Sequence, residues 1–386
     1  MRIVDCGIKT QLSLFYVLSI LLLLSIFPSD LFPEEFQRAL PGRIFSFPQD
    51  HFSHPEFKTE WWYYSGHLQS LDSDKKSYGY QLTFFRNALK KETKDAKSKW
   101  SIRNLYFAHL ALTDELKKTF EYREKISRGS LGEAGASSYE KDEKPFRVWI
   151  EDWLVEGKGP SLEHQLLRAR NQDLGIEFLL TPERKPVIHG QNGISQKAEG
   201  DGYASHYYSI TRLKTEGKIF LKKAEIPVRG MTWMDHEFGS SQLREYQEGW
   251  DWFSIQLDNG VDLMFYQIRH QDGKTDPYSS GTIIFPDGNH QHLPLKDFEI
   301  KFLDQWKSQK SGAIYPSKWR LKVPASRIEL SLVPTVKDQE LITQESTRVT
   351  YWEGSVRVEG NYQGNPMKGM GYVELTGYAK PFSKGI

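Results

Sequence analysis

Phe47-Pro48-Gln49-Asp50-His51-Phe52-Ser53-His54-Pro55-Glu56-Phe57-Lys58-Thr59-Glu60-Trp61-Trp62-Tyr63-Tyr64-Ser65-Gly66-His67-Leu68 runs from a loop into a strand and sets acids and imidazoles beside four consecutive large aromatics. Adjacent Trp and Tyr bring a large apolar area with polar tips. A purely structural strand avoids so many titratable neighbours, so the passage reads as the rim of an apolar, functional cavity. Alternation groups Glu60 with Trp62 and Tyr64 on one face, and Trp61 with Tyr63, Ser65 and His67 on the other.

Two more aromatic motifs lie far downstream. One is Gly230-Met231-Thr232-Trp233-Met234-Asp235-His236-Glu237-Phe238-Gly239-Ser240, followed by Gly249-Trp250-Asp251-Trp252-Phe253-Ser254; the other is Gly371-Tyr372-Val373-Glu374-Leu375-Thr376-Gly377-Tyr378. In this order the three motifs resemble the family of two-domain lipocalin-like proteins that includes the carotenoid 1,2-hydratases and the secreted AttH-like proteins. The resemblance covers nearly everything after residue 40. It implies an all-β fold of two lipocalin-like antiparallel β-barrel domains packed together, working without a cofactor. Members include hydratases, pericyclic-type cyclases and proteins of no known activity, so membership of the scaffold does not carry a reaction with it.

The length suits two domains once an N-terminal segment is set aside. Residues 1–29 have the layout of a signal peptide or N-terminal membrane anchor, with Arg2 and Lys9 before an apolar run at 12–27 and Pro28-Ser29-Asp30 after it. Export to the periplasm or cell envelope is expected, with membrane association through 12–27 if the segment stays uncleaved. The single cysteine, Cys6, precedes that run, so the mature domains have no internal disulfide. A net charge of +1 argues against nucleic acid, whose binding needs clustered Lys and Arg. Aromatic residues at 13%, with 11 Trp, favour all-β packing and apolar ligands.

Beyond Pro41, short alternating runs separated by Gly, Asp, Asn and Pro predict strands at 78–86, 105–113, 146–155, 176–181 and 207–213. Segment 89–99 reads as a charged connection and 115–144 as a long loop over the barrel edge. In the second half, 252–257 and 261–270 flank Asp258-Asn259-Gly260, a hairpin signal in which both Asn and Gly are expected at positive φ. Another hairpin is expected across Pro286-Asp287-Gly288-Asn289, then strands at 298–303, 319–323, 328–333, 351–360 and 369–378, giving an eight-stranded barrel. Tyr207-Tyr208-Ser209-Ile210-Thr211-Arg212 echoes Tyr351-Trp352-Glu353-Gly354-Ser355-Val356-Arg357, which suggests a duplicated unit. The join falls between Ile226 and Gly249, dividing the chain into domains 41–238 and 239–386.

Asp251 is the leading catalytic candidate. Alternation puts it with Phe253, Ile255 and Leu257 on an apolar face, where desolvation raises a carboxyl toward the range of a general acid. The alternative is that it grips an Arg at the barrel mouth. Asp235 and Glu237 share a face with Trp233, and can share a proton or orient water, or else hold an Arg across the junction. His51 completes the catalytic candidates. The ligand-binding set is Trp61, Trp62, Tyr63, Tyr64, His109, Trp233, His236, Trp250 and Trp252. No metal is expected, because the His51/His54 spacing lies in a Pro-containing loop rather than on a helical face. There is no Gly-x-Ser-x-Gly elbow, phosphate-binding loop or mature thiol, so the hydrolase label attached to secreted relatives has no motif behind it.

Two functions compete. The first is a binding protein for a hydrophobic small molecule or lipid, in service of an envelope transport system, and export favours it. The second is a cofactor-independent hydratase or cyclase that protonates an isoprenoid double bond, stabilises the cation on aromatic faces and captures it with water. The acid-rich motifs favour the second, since a carrier rarely needs Asp, Glu and His at its mouth. The binding reading is placed first.

Overall fold

The three motifs become hydrogen-bonded neighbours. A computed structural model of the chain describes residues 36–89, 102–140, 145–158, 162–241 and 243–382. The expectations for residues 1–29 and for nearly all of 89–99 lie outside the described residues. A first sheet holds β1 (Thr59–Ser70), β2 (Ser77–Ala88), β3 (Asn104–Asp114), β4 (Thr119–Ser127), β5 (Ala134–Ala136), β6 (Arg147–Ile150), β7 (Trp153–Lys158), β8 (His164–Arg170), β9 (Leu174–Pro182), β10 (Val187–Ile188), β11 (Ser195–Gln196), β12 (Ala204–Leu221) and β13 (Ala224–Ser241). A second holds β14 (Gln247–Leu257), β15 (Asp262–His270), β16 (Ser280–Ile284), β17 (His290–Pro294), β18 (Glu299–Lys307), β19 (Ile314–Val323), β20 (Ile328–Pro334), β21 (Glu340–Ile342), β22 (Thr350–Tyr362) and β23 (Asn365–Leu375).

Both sheets follow one plan. The first strand of each pairs with its last, β1 with β13 and β14 with β23, and every pairing between named strands is antiparallel. Outward from that seam run β2, β3 and β4 on one side of the first sheet and β12, β9 and β8 on the other; the second sheet matches with β15, β16 and β17, then β22, β20 and β19. The echoing segments at 207 and 351 thus occupy equivalent penultimate strands, β12 and β22. The first sheet curls until β4 lies against β6 and β9, closing a barrel. The second forms a half-barrel, its two arms joined inside by Phe253 on Trp319 and Phe265 on Phe298, with ring centroids 5.8 and 4.8 Å apart.

Alternation decides what fills each core. Trp62, Tyr64 and Leu68 point into the first barrel with Leu82, Phe178 and Met234. Phe253, Ile255 and Leu257 point into the second core with Trp319, Trp352 and Val373. The opposite faces of the seam strands meet each other in an intervening layer containing Tyr63, Tyr207, Trp233, Trp252, Tyr266 and Tyr372, with Trp61 and Trp250 at its margin. Truncating any of the fully buried Trp62, Trp153, Trp233, Trp319 or Trp352 costs about 3–5 kcal/mol. Polar bonds also cross the junction: Arg184 and Arg212 each approach Asp262 at 2.8 Å, and Thr113 donates to Gln339 at 2.7 Å. Residues 37–386 consequently form one compact unit.

Several sequence expectations are corrected. The segment 146–155 is not one strand but the β6–β7 hairpin, turning at Glu151 with φ +53°. The expected loop 115–144 contains β4 and β5, and β4 reads as polar because it is a charged edge strand. The second sheet has ten strands among the described residues, not eight. Gly260, but not Asn259, takes positive φ (+86°), and its N–H bonds to the Leu257 carbonyl at 3.0 Å. That is a type I turn closed by a left-handed glycine, repeated at Phe285–Gly288. Finally, β13 continues through Ser241, so a division after residue 238 would cut a strand.

Candidate functional site

The junction layer encloses a cavity of about 360 Å³ between the barrel and the half-barrel. On the barrel side Trp61 and Tyr63 lie beside Glu237 and Asp235, because β1 and β13 pair Trp61 with Glu237 and Tyr63 with Asp235. On the opposite wall β14 and β23 pair Trp252 with Glu374, and β22 adds Glu353 directly across from Glu374. Each wall therefore sets a carboxyl at the same place in its repeated plan, Asp235 on β13 and Glu374 on β23.

Asp235 accepts from the Trp233 indole at 2.7 Å, the Tyr207 hydroxyl at 2.9 Å and the Ser209 hydroxyl. Trp252 donates in turn to the Tyr207 oxygen at 3.1 Å, so an indole from the half-barrel reaches Asp235 through a phenol of the barrel. Burial pushes the Asp235 carboxyl up to about 7, against the pull of those donors. Glu237 accepts from Ser205 and pairs with Lys197 at 3.3 Å. Burial opposes the Lys197 charge, yet Glu237 holds that ammonium above its ordinary value; it lies 3.8 Å from the Tyr266 ring centroid, a cation–π contact.

The other wall is held differently. Glu374 has one charge-free donor, Trp250 at 3.0 Å, and burial pushes its carboxyl up to about 8. Glu353 receives the Tyr63 hydroxyl at 2.8 Å, and burial, reinforced by Glu374, raises it well above the carboxylate range. Burial thus favours the protonated form of Asp235, Glu353 and Glu374, while Glu237 has the Lys197 ammonium beside it. Raised carboxyls gathered in one cleft are a pattern that acid–base sites share.

Of the candidates named from sequence, the structure brings Asp235, Glu237, Trp61, Tyr63, His109, Trp250 and Trp252 to the cavity wall. Trp233 stands behind it, 6.4 Å from Trp252 between ring centroids. His109 bridges the sheets, bonded to Tyr351 at 2.7 Å and Ser346 at 2.8 Å, and burial lowers it to about 3, so it is neutral.

Asp251, Trp62, Tyr64, His51 and His236 are placed elsewhere. Asp251 does head an apolar face, but that face is the half-barrel core; there it pairs with Arg269 and accepts from Tyr378 at 3.0 Å. Trp62 and Tyr64 fill the first core. His236 belongs to a buried network on the far side of β13: it bonds Glu60 at 2.9 Å, Glu60 bonds Arg86 at 3.0 Å and His54 at 2.9 Å, and His54 reaches Asp50 at 3.0 Å. His51 joins through Tyr208 at 2.6 Å. Ligand atoms of His54, Glu60 and His236 all lie within 4.8 Å of one another, the donor set among the described residues that could hold a cation. Arg86 already balances Glu60 there, however, and helps hold its carboxyl well below the ordinary value against burial, so the network is internally neutralised.

Sequence reasoning missed Glu353, Glu374, Lys197 and Tyr207 as site residues. Both glutamates left a signal, an acid inside an otherwise apolar strand of a quoted motif. Lys197 left none, since the short connection after β11 has no periodicity.

Comparison with known proteins agrees with this architecture. The model of the AttH-like family matches residues 38–378. The crystal structure of an AttH protein from Nitrosomonas europaea superposes with a TM-score of 0.78 at 31% identity, covering 89% of this chain and 100% of that one. Kievitone hydratase from Nectria haematococca superposes with a TM-score of 0.65 at 15% identity over 90% of this chain and 98% of its own, a likeness of fold alone. The dehydratase asqC of Emericella nidulans is 20% identical over 235 residues, 57% of this chain; the chain spans 65% of that relative's length.

Proposed function

Because the chain belongs to the AttH-like family, and because its cavity opposes protonated and ionisable carboxyls across aromatic faces, we propose that it is a cofactor-independent acid–base enzyme that adds water to, or removes it from, an apolar isoprenoid-like substrate. The observation that carries this reading is the facing of buried carboxyls across one aromatic cavity, Asp235 and Glu237 on the barrel wall and Glu353 and Glu374 on the other, with burial raising Asp235, Glu353 and Glu374 above the ordinary carboxylate range. A carrier gains nothing from several desolvated carboxyls, each of which costs stability. A hydratase and a dehydratase among the similar proteins are in keeping with it. The reading reverses the order set from sequence, in which binding came first.

In the hydration direction the Glu353/Glu374 pair gives a proton to one alkene carbon and forms the C–H bond. The positive charge on the other carbon faces Trp61, Trp250 and Trp252, whose ring faces stabilise cations. Water adds its oxygen there and releases a proton to the Asp235 carboxylate, which Tyr207, Ser209 and Trp233 hold in place. Dehydration runs the same steps backwards. Lys197 pairs with Glu237 and its charge favours the Asp235 anion.

The test is product formation by the full chain on a panel of terpenoid alkenes and alcohols in isotopically labelled water. Turnover should follow a bell in pH, with an acid limb near 7 as Asp235 ionises and a basic limb near 8 as the acid pair is lost. Tight binding with no product across the panel would return the carrier reading, a hydrophobic small molecule or lipid handled for envelope transport, to first place. Export or envelope anchoring through 12–27 is part of the proposal, and fractionation with N-terminal sequencing checks it.

A further inference from the structure

We propose that water and protons reach the acid pair from the opposite side of the molecule, through a seam of polar side chains between β1, β2 and β23 that ends at Glu353. The proposal rests on the acid–base reading above. A substrate filling an aromatic cavity expels the water already there, yet each hydration consumes one water and leaves Glu353 short of a proton and Asp235 with one extra.

The junction face of β1 continues past Tyr63 through Ser65 to His67, and Ser65 stands opposite Gln81 on β2. His67 Nδ1 and Gln81 Oε1 are buried and have no hydrogen-bond partner among the described residues, while the Ser65 hydroxyl reaches Tyr63 and the Tyr372 hydroxyl reaches Thr113. Buried polar atoms are rarely left so, and where protein supplies no partner an ordered water does. His67 shows the need plainly. Its Nε2 lies 2.9 Å from the Gly371 carbonyl, which only accepts, so Nε2 carries the hydrogen and the neutral ring offers Nδ1 as a bare acceptor. The Tyr372 ring lies beside it, 5.9 Å between centroids.

Both ends of the seam open. Gln81 and Tyr63 line the acid cavity, while His67 lines a second cavity of about 350 Å³ rimmed by the exposed Gln69, Lys214 and Arg229. The last link is the Tyr63 hydroxyl, already bonded to Glu353 at 2.8 Å. A proton passed along waters and through that hydroxyl restores Glu353, and the proton taken up by Asp235 returns to solvent when product leaves. The net change is one water added to the alkene.

Two readouts decide the matter, both on the full chain. A crystal structure should show ordered waters on His67 Nδ1 and Gln81 Oε1 in wild type, reduced or gone in Gln81→Met and His67→Leu; the volume-conserving Gln81→Met guards against misfolding. Infrared-detected hydrogen–deuterium exchange of the protonated carboxyl band, with farnesol bound as followed by Trp fluorescence quenching, should slow about tenfold in Gln81→Met and Ser65→Val, as loss of one hydrogen-bonded link implies. A dry seam, or exchange equal in wild type and variants, overturns the proposal whatever the turnover. Wet seam and slowed exchange without turnover on any alkene overturn the enzymatic reading instead.

Discussion

Glu374→Gln should make the protein more stable at neutral pH and leave it nearly unchanged in acid. The amide keeps an oxygen to accept from Trp250, 3.0 Å away, and removes only the ionisable proton. Burial raises the folded-state carboxyl from 4.5 to about 8. Between those values the native protein holds a proton that the unfolded chain has released, so stability falls as pH rises through the window and levels off above it. At pH 7 the gap is roughly 2.5 units at about 1.36 kcal/mol each, or about 3 kcal/mol, and water entering the cavity mouth reduces it to about 2 kcal/mol. Urea unfolding of both proteins from pH 4.5 to 8 measures the difference directly. A stability difference that stays constant within about 0.5 kcal/mol across that range would show that Glu374 is not held protonated, and the acid assignment would fail with it.

Asp235→Asn should remove turnover while apolar-probe affinity changes little, because the amide preserves shape and cannot take a proton; kinetics and fluorescence titration on one preparation check both. Lys197→Met should strand Glu237, cost about 2–4 kcal/mol at neutral pH and move the acid limb of the pH profile upward as Asp235 loses a nearby positive charge. Glu60→Gln should be among the most damaging substitutions, about 3–5 kcal/mol by chemical unfolding, since Arg86 would keep a buried charge with no counter-ion. Asp251→Asn breaks the ion pair with Arg269 and weakens the bond from Tyr378, and should cost about 1–3 kcal/mol while leaving the pH profile unmoved.

Much of the architecture was legible because it is local. The three aromatic motifs and the turns at Gly260 and Gly288 each depend on neighbours in the chain, and alternation sorted Trp61 and Tyr63 from Trp62 and Tyr64 as the strand does. Polar edge strands such as β4 were not legible, because a strand with one neighbour and a wet face has no apolar pattern to betray it.

The limit is sharpest at the acids. Sequence alone puts Asp251 at the head of an apolar face with Phe253, and Asp235 on a face with Glu237 and Trp233, and nothing in either stretch says what lies opposite. Pairing β14 with β23 and curling the second sheet turns the Asp251 face into a closed core, where Arg269 neutralises the charge. Pairing β1 with β13 turns the Asp235 face toward the other sheet, which brings Glu374, Glu353 and Lys197 from as far as 139 residues away. A strand determines which side chains share a face. Only the packing of one sheet on another decides whether that face becomes core or cavity, because desolvation and charge pairing depend on atoms that are close in space and remote in the chain.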